Sequence, residues 1–570
     1  MRRAAWLAAA APLFSVAGCI TDSTGHSPAP QPTPTPPTVA YLSPTDHLLR
    51  ASMALRGMRP SLDELRRVHD DPTQLPSIVD GYLAGTDFGE AVRDLYNEAL
   101  DVRVGAAIFP AGYPSIGSLA GVDTQAINVS VTQAPLRLVE HVVTSDHPLT
   151  EIVTADYTMA DANVAKVWGL AYDGSGPDWR VTHWADGRPA AGILADSWLF
   201  TAHATTYSNS NRGRANEVSR SLLCFDFLSR EIVVDASINL ADPQQVAHAV
   251  QSNDTCASCH HELDPLAAYF GPFFPIYVPS DIKSYPFANF NTALAPVFTV
   301  AQPAYFGHQA TGLDQLGQMI AQDPRFSLCA AKRFYAYFND TTLDAVPEDQ
   351  AASLQSTLVS NAMNAKALAR AVVLADDFRA ATPLTTDPTN DPNGVRMARP
   401  WQLAHLFEDL TGLVWQTDLP ISIDNHGVVG AVDLMRDSLF GFEVLAGGID
   451  SVNVTLPSHT MNASAMLVLR ALAAKAAPYV VASDFGLPDP TQRKLLTRVG
   501  VTDTGEDAVR AQLVDLELRL YGQFVDAQSA DVTDAWTLFS SALTASGGDV
   551  RHAWTTTLFA MLQDVRIAYQ

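Results

Sequence analysis

The sequence predicts a mainly α-helical protein: a multi-helical region up to residue 380, then an additional helical C-terminal domain. Three observations carry this. Apolar residues recur three and four positions apart in several windows, the signature of a helix face. Helix-start chemistry (Ser61-Leu62-Asp63-Glu64) and helix-stop glycines (Gly57, Gly412) punctuate those windows. A hydrophobic share of 47% over 570 residues is globular and large enough for more than one core.

The chain opens with Arg2 and Arg3, an apolar run from Ala4 to Phe14, and the small-residue site Val16-Ala17-Gly18-Cys19. This is the layout of a signal peptide over residues 1–18. The last four residues resemble a bacterial lipobox, in which Cys19 becomes the lipidated first residue of the mature chain. Ile20 and Thr21 follow it in place of Asp, which by resemblance to known sorting rules directs the protein to the outer membrane, facing the periplasm. Residues 26–39 are proline-rich, so 19–40 reads as a lipidated cysteine on an extended, semi-rigid tether. No later stretch reads as long and apolar enough to span a bilayer.

A helical N-terminal domain is expected over 41–170. Leu48, Leu49, Met53 and Leu55 mark a helix ending at Gly57, the capping box at Ser61 starts a second, and Asp87 to Leu100 forms another. Residues 105–150 mix Gly, Pro and Val-rich pieces and predict loops and short strands. Within 381–397, Thr385 to Asn393 is a polar linker. In the C-terminal domain, 398–570, the stripe Trp401, Leu403, Leu406, Leu410 and Leu413 echoes the pattern at 47–57, as a weak internal repeat would. Residues 460–480 and 505–526 have helical period, and His405 and His426 read as structural or solvated.

Residues 171–380 hold the one stretch that announces chemistry, Cys256-Ala257-Ser258-Cys259-His260. With five Cys and fifteen His in the chain, chance supplies such a run roughly 0.001 times. Two thiols at this spacing reach the two vinyl groups of one porphyrin, and the following histidine becomes the proximal iron ligand. The expectation is covalent haem c on Cys256 and Cys259 with His260 ligating iron; zinc or a redox-active pair is the alternative. Cys224 and Cys329 remain, as a disulfide or as two buried thiols. The iron's sixth position is open, or is filled by Met319 or His308, with Met319 marginally ahead although it also fits plain packing on a helix face with Leu316 and Ile320.

Several segments then fall into a known order. Pro148-Leu149-Thr150-Glu151 with Ala155-Asp156-Tyr157-Thr158, Gly192-Ile193-Leu194, Arg212-Gly213, Leu222-Leu223-Cys224, Asp264-Pro265-Leu266, Gly312-Leu313, Phe326, Cys329 and Tyr335 follow one another. So arranged, residues 45–380 resemble the planctomycete-type cytochrome-c-like proteins, an exported family of domains of unknown function also common in myxobacteria. The most specific part is the CxxCH-x₃-DPL run. The resemblance implies a haem-bearing, mainly helical exported protein whose reaction is unassigned. Ala267 replaces the glycine expected after Asp264-Pro265-Leu266, and Phe225-Asp226-Phe227 replaces a proline-rich run after Cys224.

A net charge of −25 argues against nucleic acid and against an anionic membrane surface as partner. Phosphate-binding, His-Glu-x-x-His and Gly-x-Ser-x-Gly motifs do not occur. The favoured function is an outer-membrane haem lipoprotein for periplasmic electron transfer or a haem-dependent redox reaction, with a redox partner protein. The alternative is a non-catalytic binding lipoprotein whose CxxC holds a disulfide, or zinc with Cys224 and Cys329 completing a Cys₄ set.

Overall fold

Capping chemistry sets the first helices. Ser43 accepts from the Asp46 amide to start Pro44–Arg56, which stops at Gly57 in the left-handed region (φ 65°). Ser61 and Glu64 exchange side chain-to-backbone bonds at the start of Leu62–Asp70. The computed structural model describes residues 39–570 apart from 106–114, 175–177, 230–235, 240, 275–283, 382–393, 418–420 and 423–427. The residues read as signal peptide, Cys19, all but the last two residues of the 19–40 tether, the Thr385–Asn393 linker and His426 lie outside the described residues.

The described chain is mainly helical, with 24 helices; 60% of it is helix and 4% strand. Its strands form three two-stranded ribbons with no closed sheet. Ala40–Gln570 makes one compact unit. Two apolar cores lie within it. The first gathers side chains from Leu48 to Phe378 together with Trp401 and Leu518, and the second joins Leu49 and Met53 to side chains from Ala398 to Ala568. A boundary at residue 170 cuts through the first core, since Val164, Val167 and Leu170 pack with Ile193, Leu194 and Leu199.

The opening helix Pro44–Arg56 belongs to both cores. Leu48, Ala51, Ala54 and Leu55 face the first, while Leu49 and Met53 face the second. Its Arg50, 1% exposed, donates to the carbonyls of Phe378 (2.8 Å), Ala380 (2.9 Å), Gly394 (2.5 Å) and Gln570 (3.1 Å). Gly57 is where this helix meets Pro400–Thr411. A Cβ there would stand 2.9 Å from Trp401 Cζ3 and 3.0 Å from the Gln402 Cα.

Residues 105–150 differ from expectation. Thr124–Thr144 is a 21-residue helix, capped by Asp123 and carrying Pro135 inside it. Its Asn, Ser, Thr and Val residues are weak helix formers, and burial against Phe88–Leu100 overrides that preference. Residues 460–480 and 505–526 lie in or around helices Ala463–Asp484 and Glu506–Tyr521. The first of these is, by length and composition, apolar enough to cross a membrane, which corrects the reading that no such stretch follows the leader. Half of that stretch is buried, with Leu469, Leu472, Ala476 and Val480 in the second core.

Candidate functional site

The Cys-x-x-Cys-His run opens the helix Asp254–Ala268. Asn253 caps it, its side chain accepting from the amides of Thr255 (3.1 Å) and Cys256 (3.3 Å). On a helix, positions i, i+3 and i+4 share one face, so Cys256, Cys259 and His260 form a single stripe. All three are half-buried, and Cys259 packs against the first core. Leu263, Leu266 and Ala267 anchor the helix in that core. The helix packs against Arg212–Leu223, Pro243–Ser252 and the first strand of the 304–309 hairpin.

One turn further on, Asp264 completes the arrangement. His260 Nδ1–H donates to Asp264 Oδ1 at 2.9 Å. Arg212 grips the same carboxylate with both arms of its fork, Nε to Oδ1 at 2.6 Å and Nη2 to Oδ2 at 2.9 Å. Burial works against ionisation of Asp264, but the bonds from Arg212 and His260 more than offset it and hold the carboxyl below its usual range. The imidazole therefore has one nitrogen fixed and Nε2 left for a ligand, the arrangement that orients metal-binding histidines.

The helix supplying Arg212 is pinned at its other end by a disulfide. Cys224, its left-handed C-cap (φ 50°), pairs with Cys329 of helix Pro324–Asn339, with Cα atoms 5.2 Å apart. This resolves the alternatives left open for that pair. It also removes two ligands from the Cys₄ zinc set, which these residues do not fit. Among the described residues no three His, Cys, Asp or Glu side chains converge to cage a metal ion. A haem makes a smaller demand on the protein: two thiols for attachment and one histidine nitrogen. Cys256, Cys259 and His260 fit it.

Other segments far apart in sequence meet in the first core and at the 304–309 hairpin. Gly192 lies against Ile152, where a Cβ would stand 2.2 Å from the Ile152 carbonyl oxygen. Tyr157 OH and His147 Nδ1 each reach Glu151 Oε2 at 2.8 Å. Phe225 and Phe227, which stand where the resemblance leads one to expect prolines, pack on Phe306 of the hairpin at 5.8 and 6.3 Å between centroids. Arg325 lies 3.9 Å over the Phe306 ring.

The two sixth-ligand candidates sit differently. His308 is exposed in the second strand of the hairpin, paired with Tyr305, and that hairpin packs on the CxxCH helix. Met319 is half-buried against the first core on helix Leu313–Gln322, which packs on the Glu151–Thr154 helix and the Gly192–Ala195 turn. His405 is tied into the fold: Nδ1–H donates to the Arg56 carbonyl (3.0 Å) and Nε2 lies 2.8 Å from Glu90 Oε2. Burial disfavours its charge, but Glu90 outweighs it and the pKa is raised.

Sequence reasoning assigned no role to Arg212 or Asp264, although Asp264 stands four residues after His260 on one helix face. It also missed a buried acidic cluster where the two cores meet. Asp94, Glu98 and Asp340 surround Arg399 there, and Tyr337 OH donates to Asp94 (2.9 Å). Beside them Glu443, 6% exposed, is pushed up to about 8 by burial, which Arg103 opposes and Asp94 and Asp437 reinforce.

No protein-family model, curated protein or solved structure matches this chain. The site therefore has to be read from its own residues.

Proposed function

We propose that this chain is an exported c-type haem protein, lipid-anchored through Cys19, that serves periplasmic electron transfer or a haem-dependent redox reaction with a partner protein. One observation carries the reading: Cys256, Cys259 and His260 share a helix face, and Asp264 accepts the hydrogen bond from His260 Nδ1–H, leaving Nε2 available. Bound there, the group would supply a one-electron ferric–ferrous couple, and a small-ligand site where its sixth position stays open.

Cys256 and Cys259 serve as thioether attachment points, both half-buried on the helix face they share with His260. His260 is the proximal ligand. His308 would be the nearer candidate for a second iron ligand, because the first strand of its hairpin packs on the CxxCH helix, whereas the Met319 helix packs on Glu151–Thr154 and the Gly192–Ala195 turn. The cytochrome-c-like resemblance of residues 45–380 agrees with this reading through its own motif residues, Arg212, Cys224, Asp264 and Cys329.

The test is the visible spectrum of the full chain produced with a cytochrome c maturation system, oxidised and dithionite-reduced. A sharp reduced α-band that survives acid–acetone extraction, and is lost in Cys256→Ala/Cys259→Ala, is the expected result. A colourless product, under conditions where a control cytochrome matures, overturns the proposal.

A further inference from the structure

We propose that Asp264 is an anionic positioning residue that tunes the iron toward low reduction potential, and that Arg212 sets how much of its charge reaches His260. The inference rests on the haem reading above and goes beyond it by fixing the kind of redox centre.

The geometry is specific. Asp264 is four residues from His260 on one helix, so the carboxylate and the imidazole are held in register by helical backbone. Its side chain is 10% exposed and that of His260 23%, so water screens the contact only in part. Oδ1 is shared, accepting from His260 Nδ1 at 2.9 Å and from Arg212 Nε at 2.6 Å. A full negative charge accepting the Nδ1 proton makes Nε2 a more basic donor than a neutral backbone carbonyl would. A more basic ligand, with an anion nearby, favours the ferric state.

Arg212 does two opposing things. It holds the carboxylate in place with a two-armed grip, and its positive charge cancels part of the field that Asp264 exerts. The pair thus acts as an adjustable element behind the proximal histidine. Arg212 is the first residue of its helix, directly after Ser210 and Asn211, both in the left-handed region (φ 51° and 66°). That turn aims the guanidinium across to the CxxCH helix, 52 residues away in sequence.

The opposite signs give the test. Holo-protein carrying Asp264→Asn, Asp264→Ala or Arg212→Gln is titrated against redox mediators, with covalent haem content measured on each. Removing the carboxylate is expected to shift the ferric-over-ferrous preference at least about tenfold toward ferrous, a rise of about 59 mV for one electron. Arg212→Gln is expected to move the potential the other way. A merely structural role, felt through loosened packing, would move both in the same direction.

Potentials that stay at the parent value, or move together, overturn the inference while leaving covalent haem intact. A parent chain with no covalent haem overturns the haem reading and this inference with it. Either Asp264 variant that folds suffices. Where neither folds, an unchanged or raised potential in Arg212→Gln overturns the inference.

Discussion

Removing the Cys224–Cys329 disulfide is expected to cost the first core most of its stability margin. The bond closes a loop of 105 residues, from the end of helix Arg212–Leu223 to the middle of Pro324–Asn339. Restricting the unfolded chain over such a loop is worth about 4.7 kcal/mol in the chain-entropy account, against a typical range of about 2–4. Cys329 is 1% exposed, so alanine at both positions leaves a small void and no stranded polar group. Urea unfolding of Cys224→Ala/Cys329→Ala, followed by far-UV circular dichroism, should show a loss of about 3–5 kcal/mol. Reductant should bring the parent down to the level of the variant and leave the variant unmoved. A variant within about 1 kcal/mol of the parent, or a parent indifferent to reductant, would refute the reasoning.

Two further outcomes follow from positions already described. Gly57→Ala combines a left-handed residue with a Cβ 2.9 Å from Trp401, and should cost about 2–4 kcal/mol in chemical denaturation; a loss under 1 would mean the two helices part easily. Glu443 keeps its proton in the folded chain up to about 8, against 4.5 for the free side chain. Its contribution is fully present below the unfolded value and is lost as pH rises toward 8. Stability therefore falls by up to about 1.4 kcal/mol per pH unit in that window. Glu443→Gln should flatten the stability profile between those limits, and parallel profiles for parent and variant would contradict the assignment.

The helices were legible where local chemistry and burial agree. Ser61 and Glu64 cap as their spacing implies, and Gly57 and Gly412 stop their helices in the left-handed region. Thr124–Thr144 was not legible, because its Val, Thr and Asn residues and Pro135 argue locally against the helix that tertiary burial enforces. At the site, Cys256, Cys259 and His260 stand out by composition alone. The Arg212–Asp264 grip does not, because a contact across 52 residues leaves no local pattern. The same holds for the disulfide, where spacing is silent about distance. The acidic cluster around Glu443 joins segments more than three hundred residues apart, and only folding collects it.

The opening helix, read as a matter of timing, ties the beginning of the fold to its end. Leu49 and Met53 have no core to enter until residues 398–568 are in place, and Arg50 holds a carbonyl of Gln570, 520 positions away. Contacts of such separation form late and at high entropic cost. A chain delivered from its N-terminus thus carries one uncovered helix face until its final residues emerge. Cutting at the 382–393 segment would not release two finished halves, since each would lack a wall that the other supplies.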